Sequence, residues 1–333
     1  MNAFQYVRVT DHQSAIDAAM SPAAPARFLA GGTNLIDLMR EGVEQPRLVI
    51  DITRLPLAVI EGRPDGGVRV GAMVRNSHLA AHPVIRERFP LLSYAVLNGA
   101  SAQLRNMATT GGNLLQRTRC YYFYDTAAHC NKREPGSGCD ALDGFNRMHA
   151  ILGASSQCIA THPSDMCVAL AALDATVNIE GPMGARVVPF ADFHRLPGET
   201  PDIDHNLRRG ELITSVDLPA SSAGLSSVYR KVRDRASYAF ALVSVGAALR
   251  IADGKIRDVR LALGGVAHKP WRAVVAERAL LGAVPTRDAF ARAADAELEP
   301  AVPHAHNAFK IALAKRTIVA ALSELAGIDG GAE

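Results

Sequence analysis

Apolar positions in this chain fall in short runs broken by glycine and proline, and the runs alternate between strand and helix periods. Residues 4 to 8 read as a strand, and 11 to 20 as a small helix opened by Asp11. Arg27-Phe28-Leu29-Ala30 predicts a second strand; Gly31 and Gly32 follow, and Thr33 and Asn34 open a helix carrying Leu35, Ile36, Leu38 and Met39. Strands are predicted at 48–51 and 67–72, and helices around 77–81 and 91–97. Ser164 caps a helix whose face holds Met166, Ala169, Leu170 and Leu173, and 174–220 alternates short strands with Pro- and Gly-rich turns. Ser, Ala and Gly dominate 220–226 and mark a domain boundary. Beyond it, strands are predicted at 229–232, 241–251 and 256–264, the last two joined by the hairpin turn Ala252-Asp253-Gly254-Lys255. Helices near 271–281, 287–294 and 304–325 complete an α+β unit.

Two glycine pairs stand out against this pattern. Gly31-Gly32 lies between a strand and a helix, where glycine permits positive φ and close approach by an anion while helix N–H groups point at it. Met107-Ala108-Thr109-Thr110-Gly111-Gly112-Asn113 repeats the combination of paired glycines with Thr and Asn. Backbone close approach plus neutral hydroxyl and amide groups suit a phosphate and a polyhydroxyl chain. Neither loop has the GxGxxG spacing of a Rossmann dinucleotide site. The alternative for each is a plain tight turn with a side-chain cap.

The segment 117–158 has no helix or strand period, yet it holds Tyr121, Tyr122, Phe123, Tyr124 and Phe145 and is punctuated by Pro135-Gly136-Ser137-Gly138. An irregular stretch this long needs something to order it. It also carries Cys120, Cys130, Cys139 and Cys158, with Cys167 following as a helix core residue. The spacing C-x9-C-x8-C-x18-C lacks the close pairs of structural zinc sites and both ferredoxin spacings. Iron–sulfur, zinc and free thiols therefore stay open on residues alone. Amides of Gly136 and Gly138 directed at cluster sulfides would favour iron–sulfur; the basic residues nearby are nearly cancelled by Asp125, Glu134, Asp140 and Asp143. His129, His149 and His162 read as hydrogen-bonding histidines rather than ligands. No Ser-His-Asp set, HExxH motif or carboxylate dyad is present.

Composition narrows the class further. With 333 residues, 48% hydrophobic and 21% charged, the chain can bury a large core without disulfide staples. A formal charge of +3 with scattered Lys and Arg predicts no nucleic-acid partner. No apolar run reaches the roughly 18 residues of a membrane span. Met1-Asn2-Ala3-Phe4-Gln5 offers no basic or apolar leader, so a cytoplasmic location is the default expectation.

Ala30-Gly31-Gly32-Thr33-Asn34-Leu35, then Arg105-Asn106-Met107-Ala108-Thr109-Thr110-Gly111-Gly112-Asn113-Leu114, then Ser164-Asp165 and Tyr229-Arg230-Lys231-Val232-Arg233-Asp234-Arg235, resemble the FAD subunit of molybdenum hydroxylases. That is the xanthine dehydrogenase and carbon monoxide dehydrogenase family, and the likeness spans essentially the whole chain. The resemblance implies a two-part FAD-binding domain of the PCMH/vanillyl-alcohol-oxidase type followed by a cap domain like the C-terminal domain of the CO dehydrogenase flavoprotein. The parts would be 1–57, 58–220 with an insertion at about 117–158, and 227–330. FAD would contact Ala30, Gly31, Gly32, Thr33, Asn34 and Leu35 at its pyrophosphate. Arg105, Ala108, Thr109, Gly111, Gly112, Asn113, Leu115 and Asp165 would hold the ribityl or ring side, with Lys231 approaching from the cap.

Most of the family lacks the roughly 40 residues between Gly-Gly-Asn and Ser-Asp. Arg117 to Asp125, Cys130-Asn131-Lys132-Arg133 and Pro135 to Cys139 resemble the insertion of bacterial aldehyde oxidoreductase flavin subunits, which implies a 4Fe–4S cluster on Cys120, Cys130, Cys139 and Cys158. Implied partners are a large molybdenum-cofactor subunit and a small subunit with two 2Fe–2S clusters, in a heterotrimer. Electrons from an aldehyde would reach FAD and leave to a small-molecule or protein acceptor. Export to the periplasm with a twin-arginine-bearing partner is the alternative location. Two other readings are a 4-hydroxybenzoyl-CoA reductase-type flavin subunit and a zinc-stabilised binding module without flavin.

Overall fold

The structure, a computed structural model, describes residues 1–22 and 25–328. The chain first builds a small parallel sheet from β1 (Gln5–Arg8), β2 (Ala26–Leu29) and β3 (Leu48–Asp51), in the order β1-β3-β2. Helix α1 (His12–Met20) crosses between β1 and β2, its N-cap Asp11 accepting the Ser14 amide at 2.8 Å. It buries Ala15, Ile16 and Ala19, and Ala15 and Ala19 join Ile50 and Leu48 in one core cluster. Helix α2 (Leu35–Arg40) follows β2 after the first glycine pair.

The middle of the chain is helical on one side and sheeted on the other. Its elements are β4 (Ile60–Gly62), β5 (Val68–Gly71), α3 (Asn76–Ala81), α4 (Pro83–Arg88), α5 (Pro90–Asn98), α6 (Ala102–Arg105), α7 (Thr110–Leu114), α8 (Tyr121–Tyr124), α9 (Asp165–Ala172), β6 (Thr176–Gly181), β7 (Gly184–Pro189), α10 (Phe190–Phe193) and β8 (Leu212–Leu218). The five strands form one antiparallel sheet in the order β4-β5-β8-β6-β7. Every residue of α9 is buried, as expected for a helix apolar on all sides.

The cap is an antiparallel sheet ordered β12-β11-β10-β9, with β9 (Ser226–Val232), β10 (Val243–Ala252), β11 (Lys255–Gly264) and β12 (Trp271–Arg272). Helices α11 (Val274–Leu280), α12 (Arg287–Leu298) and α13 (Phe309–Leu325) cover one face, packing Phe290, Ile318 and Leu322 on Val245, Leu261 and Leu263. The other face lies on α9. A Cβ on Gly264 would sit 2.6 Å from Val168 of that helix, so only glycine allows the sheet this close.

The α+β expectation holds, and three local expectations need correction. Helix 271–281 is split, because Trp271 and Arg272 pair with Leu263 and Ala262 as strand β12 before the helix starts at Val274. Helix 304–325 starts only at Phe309, because buried Asn307 turns its side chain to the His149 and Ala150 carbonyls instead of continuing the helix. The second glycine pair is not an open loop: Thr109 caps α7, and Gly111 and Gly112 lie inside that helix. The last two residues of the 227–330 unit, Gly330 and Asp329, lie outside the described residues.

Candidate functional site

The two glycine motifs face one cleft of about 1270 Å³. Its wall includes Ala30 to Leu35, Arg105, Ala108, Thr109, Gly111 to Asn113, Leu115, Asp165 and Lys231, so the structure gathers every predicted cofactor residue in one place. Among the described residues, the N–H groups of Gly31, Gly32, Thr33 and Asn34 reach no protein acceptor. The Asn34 Nδ2 amide is likewise buried without a partner, while its Oδ1 accepts the Arg117 amide at 2.8 Å. Unpaired donors facing a cleft at a strand-to-helix turn suit an anionic, acceptor-rich ligand such as the pyrophosphate of FAD.

The glycines have more than one duty. Gly32 holds φ +73°, which demands glycine. A Cβ on Gly31 would lie 2.0 Å from the Met107 carbonyl oxygen, so this glycine lets the two loops touch each other, not a ligand alone. Gly111 donates to the Ala72 carbonyl at 2.8 Å and is buried against it, so its amide is already engaged. Gly112 is exposed, and Thr109 Oγ1 accepts its amide at a long 3.3 Å.

Asp165 begins α9, where Ser164 caps the helix. Its Oδ1 accepts from the Tyr229 hydroxyl at 2.6 Å and its Oδ2 from Lys231 Nζ at 2.8 Å. Burial pushes the Asp165 carboxyl above its usual range, with Lys231 and Tyr229 acting in the opposite direction. Lys231 also donates to the Asn98 carbonyl at 3.0 Å. Arg105 is turned to the carbonyls of Leu97, Gly99 and Ala100, the shortest contact being Gly99 at 2.7 Å, and so holds the cleft rim.

The insertion is irregular apart from α8 and two isolated bridges, Cys130↔Cys139 and Ser155↔Cys158. Side chains order it. Asn131 Oδ1 accepts both Gly136 N–H at 3.1 Å and Gly138 N–H at 2.8 Å, which corrects the expectation that those amides face cluster sulfides. Arg133 donates to the carbonyls of Tyr122 and Phe123 at 2.8 and 2.9 Å. The one amide bonded to a sulfur among the described residues is Ala160, which donates to Cys158 Sγ at 3.4 Å. Burial pushes the Cys120 thiol up to about 12 and Cys158 to about 11, so thiolates here require a neighbouring cation. Tyr121 and Phe145 are half exposed, so the aromatic shell covers only the inner side, where Phe123 packs with Cys130 and Leu38.

The histidines behave as hydrogen-bonding groups. His149 Nε2 lies 3.1 Å from Cys120 Sγ, and burial pushes this imidazole down to about 4. Among the described residues, His162, Cys167 and His194 are the set whose ligand atoms lie within 4.8 Å of one another; the four insertion cysteines are spaced more widely. His162 Nδ1 accepts the Ser164 amide at 3.4 Å and His194 Nε2 donates to the Leu114 carbonyl at 2.8 Å. The His162 proton is thereby left on Nε2, and Cys167, fully buried in α9, is pushed up to about 12. This set packs the helix; it has too few free lone pairs for a ligand sphere.

Sequence reasoning missed the charges that join the insertion to the cleft. Arg117 Nε lies 2.7 Å from Asp204 Oδ2, an ion-pair contact rather than an aligned hydrogen bond, and its guanidinium also pairs with Glu44. Lys132, its side chain 1% exposed, pairs with Asp204 from the insertion. Burial would raise the Asp204 carboxyl, but Lys132 and Arg117 hold it well below the usual range. The only sequence signal was charge of both signs around 117–133, which does not identify partners 72 to 87 residues away.

The chain is similar to known proteins throughout. Residues 2–221 match the FAD binding domain in molybdopterin dehydrogenase, and 227–325 the CO dehydrogenase flavoprotein C-terminal domain. The aldehyde oxidoreductase FAD-binding subunit PaoB of Escherichia coli K12 is 53% identical, over 97% of this chain and 98% of the relative. The glyceraldehyde dehydrogenase medium chain of Sulfolobus acidocaldarius is 29% identical, over 84% of this chain and 81% of the relative. The solved carbon monoxide dehydrogenase of Hydrogenophaga pseudoflava superposes with a TM-score of 0.77 at 26% identity, covering 98% of both chains. The FAD-domain match sets aside the flavin-free binding module.

Proposed function

The chain belongs to the FAD-binding medium-subunit family of the xanthine and carbon monoxide dehydrogenases, within its molybdenum aldehyde oxidoreductase branch, and on that premise we propose that it is an electron-transfer subunit carrying both FAD and a 4Fe–4S cluster. The observation that carries this reading is adjacency. The four-cysteine insertion packs Phe123 and Cys130 directly on Leu38 of α2, the helix that follows the unpaired amides of 31–34. The amides of 31–34 and Asn34 Nδ2 would hold the pyrophosphate of FAD, and Gly112, Asn113 and the region of Asp165 and Lys231 would hold its ribityl and ring side.

Cys120, Cys130, Cys139 and Cys158 would ligate the cluster. Their sequence spacing, C-x9-C-x8-C-x18-C, lacks the close pairs through which structural zinc is usually held. When bound, the two cofactors supply the redox chemistry. The chain's own residues exclude water at Phe123 and Ile159, direct the Ala160 amide at the Cys158 sulfur, and fix the flavin's position through the Asp165–Lys231 pair. Partners are a large molybdenum subunit and a small iron–sulfur subunit, and the electrons originate from aldehyde oxidation on the large one. Among the described residues no helix is long and apolar enough to cross a membrane. Location is cytoplasmic, or periplasmic through a co-exported partner.

Anaerobic purification with iron and flavin quantified on one sample, plus EPR after dithionite, tests the reading. About four irons per FAD with a reduced-cluster signal is the expected result. Stoichiometric flavin without iron would remove the cluster and leave only the general family role.

A further inference from the structure

The insertion and the cleft are joined by charges that neither site needs on its own. Lys132 lies between Cys130 and Cys139, and its buried ammonium pairs with Asp204 and donates to the Pro201 carbonyl at 2.7 Å. Asp204 also faces Arg117 at 2.7 Å. Arg117 reaches Glu44 beyond the end of α2, stacks 4.8 Å over the Phe123 ring, and donates its amide to Asn34 at 2.8 Å. Asn34 is the residue whose Nδ2 remains unpaired in the cleft wall.

We propose that Lys132, Asp204 and Arg117 form a buried charge chain through which occupancy of the cysteine centre sets the affinity for FAD. The inference rests on the four-cysteine reading above. The four cysteines come from separate turns of an irregular segment that Asn131 and Arg133 already hold by hydrogen bonds, and a group bridging the sulfurs adds a second restraint on the same turns. Releasing that bridge loosens the 130–139 turn that carries Lys132. Asp204 and Arg117 then lose a buried partner, and removing one member of such a group is costly. The Arg117 amide is the support of Asn34, so the disturbance arrives at the flavin's phosphate loop. The coupling is reciprocal: bound FAD strengthens metal retention by the same factor.

The test measures the FAD dissociation constant of the full chain by flavin fluorescence, before and after chelation, with iron assayed on each sample. In the wild type, chelation is expected to weaken FAD binding about tenfold. In Lys132→Met, FAD binding is already weak with iron retained, and chelation changes it by under about twofold. A tenfold effect of chelation that persists in Lys132→Met would show a merely structural lysine and overturn the chain. Arg117→Lys keeps the charge but cannot span Asp204 and Glu44; the same collapse of the chelation effect is expected there, which covers a Lys132 variant that fails to fold. Wild-type protein isolated without iron would overturn the cluster reading and this inference with it. Iron-loaded wild type whose FAD affinity changes by under about twofold on chelation would overturn the inference and leave the cluster reading standing.

Discussion

Lys231 Nζ sits 2.8 Å from Asp165 Oδ2, with the two side chains 2% and 8% exposed, and this one pair fastens cap strand β9 to the first residue of helix α9. It lies in the wall of the cleft, so the joint between domains is also part of the proposed flavin site.

Lys231→Met leaves the Asp165 carboxylate buried and unpaired, and the expected loss of stability near neutral pH is about 3–5 kcal/mol. The Asp165 carboxyl is already pushed above its usual range, and without Lys231 it rises further. A carboxyl raised in the folded state favours folding below its unfolded value and disfavours it as pH climbs through the folded value. The deficit relative to wild type should therefore shrink at pH 5 and grow at pH 8. Urea midpoints at both values check this, and a deficit larger at pH 5 would contradict it. Asp165→Asn added to Lys231→Met should recover part of the loss, because the buried charge is gone.

Gly31 and Gly112 should fail differently. Gly31→Ala drives a Cβ into the Met107 carbonyl at 2.0 Å, so both thermal stability and flavin content fall. The Cβ of Gly112→Ala meets only Thr109 Oγ1, at 3.0 Å. The larger Gly112→Val is expected to keep its melting temperature within a few degrees while FAD content drops, since the side chain fills cleft space. Full flavin occupancy in Gly112→Val would sink the role of that position.

Cys139→Ala is expected to abolish iron, whereas Cys167→Ala leaves it unchanged and costs about 1 kcal/mol for a small cavity in α9. Iron analysis of the two variants decides; equal loss from both would overturn the ligand assignment.

Asn131 holds no metal, yet its Oδ1 is the common acceptor for Gly136 and Gly138, both at positive φ of +87° and +104°. Asn131→Ala removes the acceptor that the half-buried Gly138 amide and the exposed Gly136 amide share and should release the Cys130–Cys139 turn, with iron lost although every cysteine remains. Asn131→Asp, which keeps the acceptor oxygen, should retain more iron. Undiminished iron in Asn131→Ala would show that the turn stands without it.

Local chemistry made much of the site legible. Paired glycines with Thr and Asn, and a helix start at Ser164-Asp165, are signals carried by a few adjacent residues, and the three segments do converge on one cleft. The cysteines were legible as a group because an aperiodic stretch rich in turns needs an ordering element. Residue function within those motifs was less legible. Nothing near Gly31 reveals that Met107 presses on it, and nothing near Gly136 or Gly138 reveals that Asn131 already takes their amides.

The sequence by itself determined the alternation of strands and helices, the α+β class, the hairpin at 252–255 and the family to which the glycine motifs point, because these follow from period, turn chemistry and short-range order. Tertiary structure alone decided which charges meet. Arg117 with Glu44, Lys132 with Asp204 and Asp165 with Lys231 are separated by 66 to 73 residues, and only the folded chain, by burying these ions together, makes each the other's partner in place of water.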